Sequence, residues 1–201
     1  MRVKTDNKRQ AIMKAAADVF REEGFSGASM AMIAARVGGS KATLYNYFSS
    51  KDELFAAVTI ETVEATARAM FALLDDEVLD IRDTLLRFGE AYLDLILSDG
   101  VIMVTRIGMS PGPPPHLGRS LYERGPAQGW RTITASLQRY HDLGLLHLPD
   151  CKLAALQLKG LLEAGLLEPN LFGARAVLDR KRTIAEAVET FLCRYAPANQ
   201  R

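Results

Sequence analysis

The sequence predicts an all-α protein of about nine or ten helices, a small three-helix head at the amino end followed by a helical-bundle body. Three observations predict it. Apolar residues recur at three- and four-residue spacings in segment after segment, with no period-two alternation of a strand. Two serine caps and a glycine pair divide residues 29–50 into two short helices. Residues 51–74 then continue without glycine or proline, so head runs into body through an unbroken helix.

Residues 2–9 are basic and predicted to fray. Two states are open to them: disorder, or a path along a DNA backbone or minor groove. A helix is predicted over 8–23, with Ile12, Ala16, Val19 and Phe20 on one face. Gly24 stops it and Phe25 folds back. Ser29 caps the first short helix, whose Ile33, Ala34 and Val37 form a narrow apolar face among small neighbours. Gly38-Gly39 ends that helix because glycine takes positive φ cheaply. Ser40 caps the second, turning Leu44 and Phe48 inward and Lys41, Thr43, Asn46 and Tyr47 outward. Tyr45 is placed with one side of its ring packed and its hydroxyl towards a phosphate. Phe20, Phe25, Ile33, Val37, Leu44 and Phe48 make the core of the head.

This pattern is a helix-turn-helix whose second helix is built to touch something polar. Lys41 and Lys51 flank hydroxyl and amide groups suited to phosphate oxygens and base edges. Ser50-Lys-Asp-Glu53 reads as a capping box, and its free N–H groups together with Lys51 welcome an anion. The charge distribution agrees. Residues 1–51 hold 9 Lys/Arg against 4 Asp/Glu, a balance of +5, while the remainder holds 16 against 20, a balance of −4. A basic head on an acidic body is the asymmetry of a DNA-reading module. The competing reading is a helical hairpin with a solvated polar face.

The run Lys41-Ala-Thr-Leu-Tyr-Asn-Tyr-Phe-Ser-Ser-Lys-Asp-Glu-Leu54 resembles the recognition-helix signature of TetR-family transcriptional regulators. The likeness extends upstream through Ile12-Met-Lys-Ala-Ala-Ala-Asp-Val-Phe20 and Glu23-Gly-Phe25. It implies a homodimer on a two-fold DNA operator, with a DNA-binding domain over residues 1–53 and a ligand-binding and dimerisation domain over 54–201. It also implies that Ser29, Ser40, Lys41, Thr43, Tyr45, Tyr47 and Lys51 meet DNA; Asn46 joins them by its outward direction. Lys51 and Tyr47 are expected on phosphates, Lys41 and Thr43 on base edges.

In the body, the helix over 51–74 carries Leu54, Phe55, Val58, Val63, Ala67, Met70 and Phe71 and connects head to body mechanically. An acidic turn at 75–80 precedes helices over 81–98, with Leu85, Phe88, Tyr92, Leu95 and Ile96, and 101–107. The proline run at 111–115 breaks the pattern, because proline lacks the N–H donor and restricts the residue before it. Helices follow over 116–124 and from 125 or 126 to 143, burying Leu121, Tyr122, Trp130, Ile133, Leu137 and Tyr140. The last two, over 150–167 and 175–195, are apolar on more than one stripe, including Leu153, Leu156, Val177 and Leu178. They are therefore assigned to an isologous four-helix interface through Leu158, Leu161, Leu162, Leu166, Ile184, Val188 and Phe191; a self-contained core is the alternative.

Leu121-Tyr-Glu-Arg-Gly-Pro126, and the stretch from Gly144 through Ala154-Ala-Leu-Gln-Leu-Lys-Gly-Leu-Leu162 to Leu171-Phe-Gly173, resemble the C-terminal domain of the AefR-like branch. The proline-rich residues 108–115 depart from that pattern. The resemblance implies a small, largely apolar effector bound among Phe88, Tyr92, Ile96, Met103, Ile107, Trp130 and Leu137; Arg106 and His116 are candidate polar anchors, with surface exposure the alternative for both. Core packing is the plainer role for each apolar residue.

Other chemistry finds little support. His116, His141 and His147 lack metal-ligand spacing, and there is no Cys-x-x-Cys, so a metal-responsive regulator is disfavoured. No nucleophile elbow, phosphate-binding glycine loop or His-Glu-x-x-His motif points to an enzyme, and no cofactor is implied. With only Cys151 and Cys193, no signal peptide and no membrane-length apolar run, a cytoplasmic protein is expected. The remaining alternative is a nonspecific architectural DNA-binding protein.

Overall fold

A computed structural model of the chain describes residues 2–75, 80–111 and 115–197. The acidic turn at 76–79 and the prolines within 112–114 lie outside them. Among the described residues every regular element is a helix.

The head comprises α1 (Arg2–Gly27), α2 (Met30–Val37), α3 (Lys41–Tyr45) and the start of α4 (Lys51–Asp75). α1 begins at Arg2, so the basic segment expected to fray is helical. It contains no proline or glycine, and extending an existing helix avoids the cost of nucleation. Helical geometry breaks at Gly24, with φ +67° and ψ 173°. α2 closes on Gly38 at φ +67°, where the Gly39 N–H reaches Ala34 O at 3.0 Å and the Gly38 N–H reaches Ala35 O at 3.2 Å. These reversed bonds satisfy carbonyls that the helix end would leave bare.

Two separate cores form. Ile12, Val19, Phe20, Ile33, Leu44, Phe48, Leu54 and Val58 lie in the head's, with Phe25 and Val37 packed against it. Met70, Leu74 and most of the buried apolar residues of the later helices lie in the body's. α4 alone gives buried side chains to both, and most of residues 60–69 between them are exposed. The packing boundary therefore falls within α4; Leu54, placed at the start of the body by the sequence reading, belongs to the head.

The body continues with α5 (Ile81–Ile96), α6 (Asp99–Met109), α7 (Pro115–Arg124), α8 (Pro126–Asp142), α9 (Cys151–Glu163), α10 (Leu167–Leu171) and α11 (Arg180–Tyr195). The end differs from expectation. Gly165 adopts φ +67° just after α9, and Asp179 caps α11 by accepting the Arg182 N–H at 2.9 Å. Val177 and Leu178, expected inside a helix, lie outside it and are 76% and 51% exposed.

Most of the residues assigned to a dimer interface lie in the same region and are buried in the chain's own core. Leu158, Leu162, Leu166, Ile184, Val188 and Phe191 are each 2% exposed or less within the single chain. α9 and α11 pack on one another and on α5, which covers those side chains. Leu161 remains half-buried, while Leu153 and Leu156 are exposed on α9.

α6 and α7 cross where Gly118 meets Gly108, and a Cβ on Gly118 would overlap the Gly108 carbonyl oxygen. A Cβ on Gly108 would make only ordinary contacts, 3.5 Å from Leu121 Cδ1. Gly118→Ala should therefore lower stability by about 1–3 kcal/mol through overpacking against backbone. Gly108→Ala should be neutral or raise it by up to about 1 kcal/mol through helix propensity. Urea unfolding of the two variants checks this contrast, and equal midpoints would refute the close crossing.

Candidate functional site

The outward surface of the head is set by local hydrogen bonding. Ser29 Oγ accepts the Met32 N–H at 3.3 Å, and Ser40 Oγ accepts the Thr43 N–H at 3.1 Å. Ser40 Oγ also bonds Thr43 Oγ1 at 3.0 Å, so the threonine expected on a base edge is half-buried with its hydroxyl engaged. Lys41, Ala42, Tyr45 and Asn46 are exposed along α3 and its end. Tyr45 is half exposed, whereas Tyr47, expected outward, is half-buried against the head core. Helical spacing favours this placement: Tyr47 falls three residues after the buried Leu44, and the N–H groups of Tyr47 and Phe48 both donate to Leu44 O, at 2.9 and 3.0 Å.

Lys51 departs most from its expected role. Its Nζ donates to Phe25 O at 2.8 Å and Ala28 O at 3.0 Å, and lies 4.4 Å from the centre of the Phe25 ring. The break at Gly24 leaves carbonyls at the end of α1, and the ammonium reaches back from α4 to satisfy them. Its charge joins the α1–α2 turn to α4. The cluster is completed by the Phe55 ring, which meets Phe25 at 4.9 Å and Phe20 at 5.0 Å. The capping box is displaced by one residue. The Glu53 N–H donates to Ser50 Oγ at 3.0 Å, but Glu53 Oε2 accepts from the N–H and hydroxyl of Ser49, both at 2.7 Å.

Arg36 donates twice to Glu22, at 2.9 and 2.6 Å, linking α2 to α1 and holding the Glu22 carboxyl below its ordinary pKa. This pair is solvent-exposed and contributes little stability. The opposite end of α4 is clamped from the body. Arg139 Nη2 donates to Leu74 O at 2.5 Å and Asp75 Oδ1 at 2.9 Å, while the Tyr140 hydroxyl donates to Leu74 O at 2.6 Å.

Of the predicted effector residues, Phe88, Tyr92, Trp130 and Leu137 lie in the body core, with Ile96 packed against them. Ile107 is buried and Met103 half-buried. Tyr92 stacks on Phe88 at 5.8 Å and meets Trp130 edge-on at 5.3 Å, so these rings fill one another's space. Two surface grooves, of about 460 and 420 Å³, are lined by other residues: the first between α1 and α4, the second between α9 and α11. Arg106 is bonded within the chain. It donates to Leu171 O at 2.8 Å and Asn170 O at 2.6 Å, closing the end of α10. His116 is exposed.

The sequence reading missed a polar group inside the body. The Tyr92 hydroxyl donates to Glu163 Oε1, and Lys159 Nζ donates to Glu163 Oε2 at 2.5 Å. The i,i+4 spacing of Lys159 and Glu163 was readable; the approach of Tyr92, 71 residues away, was not. Burial first, then the Glu163 carboxylate, pushes the Tyr92 phenol well above the ordinary tyrosine range. Among the described residues no three metal-ligating side chains cluster, and no helix is long and apolar enough to cross a membrane.

Two family models match the chain: "Bacterial regulatory proteins, tetR family" over residues 12–58, and "AefR-like transcriptional repressor, C-terminal domain" over residues 83–197. The nicotine-responsive transcriptional repressor HdnoR of Paenarthrobacter nicotinovorans is 27% identical over 144 residues, spanning 69% of this chain and 74% of that protein. Among solved structures, a TetR-family transcriptional regulator of Mesorhizobium loti superposes with a TM-score of 0.79 at 25% identity, covering 96% of this chain and 98% of the other. The flavonoid-responsive regulator FrrA superposes with a TM-score of 0.68 at 29% identity, covering 96% and 99%.

Two stability measurements probe this geometry. Lys51→Met keeps the aliphatic stem but removes the donors, and should cost about 1.5–3 kcal/mol, the scale of hydrogen bonds to charged groups. An unchanged urea midpoint would show the latch to be idle. For Tyr92 the folded pKa is raised, so its contribution is complete below the unfolded value and is lost as pH rises past it. Stability should fall above about pH 10, and Tyr92→Phe should lessen that fall by about 1.4 kcal/mol per pH unit. Equal slopes for wild type and variant between pH 9 and 11 would contradict the assignment.

Proposed function

Because the chain belongs to the TetR family of bacterial transcriptional regulators, we propose that it is a homodimeric repressor released from a palindromic operator by a small, largely apolar effector. DNA-binding regulation, rather than catalysis, is the activity of the family. One observation carries the finer reading: the exposed face of α3 belongs to a head whose core is completed by α4, the helix that ends clamped in the body.

In this reading α3 enters a major groove and presents Lys41 and Asn46 to base edges, with the Tyr45 hydroxyl near a phosphate. Ser29, Ser40, Thr43 and Tyr47 shape that surface from behind. The second head comes from a second copy. Leu153 and Leu156 are exposed on α9, and the 420 Å³ groove between α9 and α11 is floored by Gly160, Leu161 and Phe191. An apolar groove flanked by exposed leucines suits a two-fold helix-on-helix contact, and two-fold proteins read half-sites a helical turn or more apart.

Effector release follows the same connection. A ligand that parts Phe88, Tyr92 and Trp130 displaces α8, whose Arg139 and Tyr140 hold the last turn of α4. The names of HdnoR and FrrA describe responses to small ring compounds, and the aromatic cluster here suits a ligand of mainly apolar character.

Genomic fragments selected by the purified protein, with and without cell extract, test the whole reading. A recurrent palindrome lost on adding extract is the expected result; fragments without shared sequence would instead indicate an architectural DNA-binding protein. On the selected duplex, Lys41→Ala should cost about 1–3 kcal/mol and relax sequence preference. Lys51→Met should weaken binding while leaving the salt slope unchanged, because no phosphate contact is removed; a slope flatter by about one unit would place Lys51 on the backbone after all.

A further inference from the structure

We propose that Ala42 reads the 5-methyl group of a thymine and sets a thymine preference at one position of each half-site. The inference rests on α3 occupying a major groove, as proposed above, and adds what that helix selects there.

α3 has few side chains free. Leu44 is wholly buried, the Thr43 hydroxyl is bonded to Ser40, and Tyr47 packs against the head core. Lys41, Ala42, Tyr45 and Asn46 remain exposed, at relative positions i, i+1, i+4 and i+5. At 3.6 residues per turn these four share one face. Three carry long or polar-tipped side chains. Ala42 lies among them and offers a methyl group alone.

That chemistry selects one base. Adenine, guanine and cytosine present only hydrogen-bond donors and acceptors in the major groove, whereas thymine adds an apolar methyl beside its O4 acceptor. A methyl surface pressed against a donor or acceptor strips its water without replacing the bond. Against the thymine methyl it buries apolar surface on both sides. Alanine is also short enough to let its neighbours Lys41 and Asn46 reach adjacent base edges. The exposure of Ala42 beside a fully buried Leu44 thus marks a reading position that polar side chains alone would not reveal.

The test uses the full-length protein and a duplex recovered from a randomised pool. Each thymine is replaced singly, and symmetrically in both half-sites, by deoxyuridine, which removes only the methyl. One position should lose about fifteen-fold in affinity, the sum of roughly one buried methyl per half-site. That loss should vanish in Ala42→Gly, and should shrink in Ala42→Ser, which keeps a helix-compatible side chain but makes the surface polar. Because the readout is the ratio between thymine and deoxyuridine duplexes for each protein, a general weakening by glycine cancels. If no thymine responds, or the loss persists in both variants, the inference falls while specific binding by α3 stands. A pool that yields no preferred duplex overturns both.

Discussion

The architecture depends on α4 being shared. Its first turns complete the head core through Leu54 and Val58, and its last turns enter the body core through Met70 and Leu74. Each end is also fastened by a cation donating to backbone carbonyls: Lys51 reaches Phe25 and Ala28, and Arg139 reaches Leu74. Helix ends leave carbonyls without partners, and a buried or half-buried carbonyl must be satisfied. The two clamps therefore follow from where α1 breaks and where α4 stops. With 25 residues, α4 spans about 37 Å at roughly 1.5 Å per residue, and its middle touches little. A stiff rod gripped at both ends transmits displacement, because neither grip can move without its neighbours.

That constraint changes how the basic residues of the head divide their work. Lys41 and Lys51 flank the recognition sequence symmetrically, yet only Lys41 faces outward. The Lys51 ammonium orders the α1–α2 turn, and α2 in turn holds α3, so the reading helix is positioned by contacts behind it. The Ser40–Thr43 bond and the burial of Tyr47 act in the same direction. A rigid head holds a short helix well enough that five residues suffice to present Lys41, Ala42 and Tyr45 on one exposed face.

The body meets this rod through α5, α6 and α8, and α8 clamps its last turn through Arg139 and Tyr140. Trp130 lies on α8 and meets Tyr92 of α5, whose hydroxyl reaches Glu163 of α9. The same cluster thus joins three helices of the body and lies on the helix that grips α4. The Tyr92–Glu163 bond is part-buried, and separating its partners would leave a hydroxyl and a carboxylate less well satisfied.

Local chemistry determined a great deal by itself. The caps at Ser29, Ser40 and Ser50, the glycine break after Val37, the uninterrupted helix from residue 51 and the all-helical class were legible, because each depends on neighbours a few residues away. The face of α3 was legible in part: Leu44 and Phe48 pointed inward as their spacing required, but Tyr47, three residues after Leu44, sits at the border of that face, and its packing against the head core was settled by the fold. Tertiary structure alone decided where side chains with more than one possible partner would go. Lys51 could meet a phosphate or a carbonyl, and only the fold brings Phe25 and Ala28 within its reach. Leu158, Leu162, Ile184, Val188 and Phe191 could cover a partner or their own core, and only the packing of α9 and α11 on one another and on α5 buries them in the chain. Tyr92 and Glu163 needed a contact across 71 residues that no periodicity encodes. Spacing reveals a helix because its bonds are local, whereas the choice between alternative partners is made by distances that exist only after the helices have met.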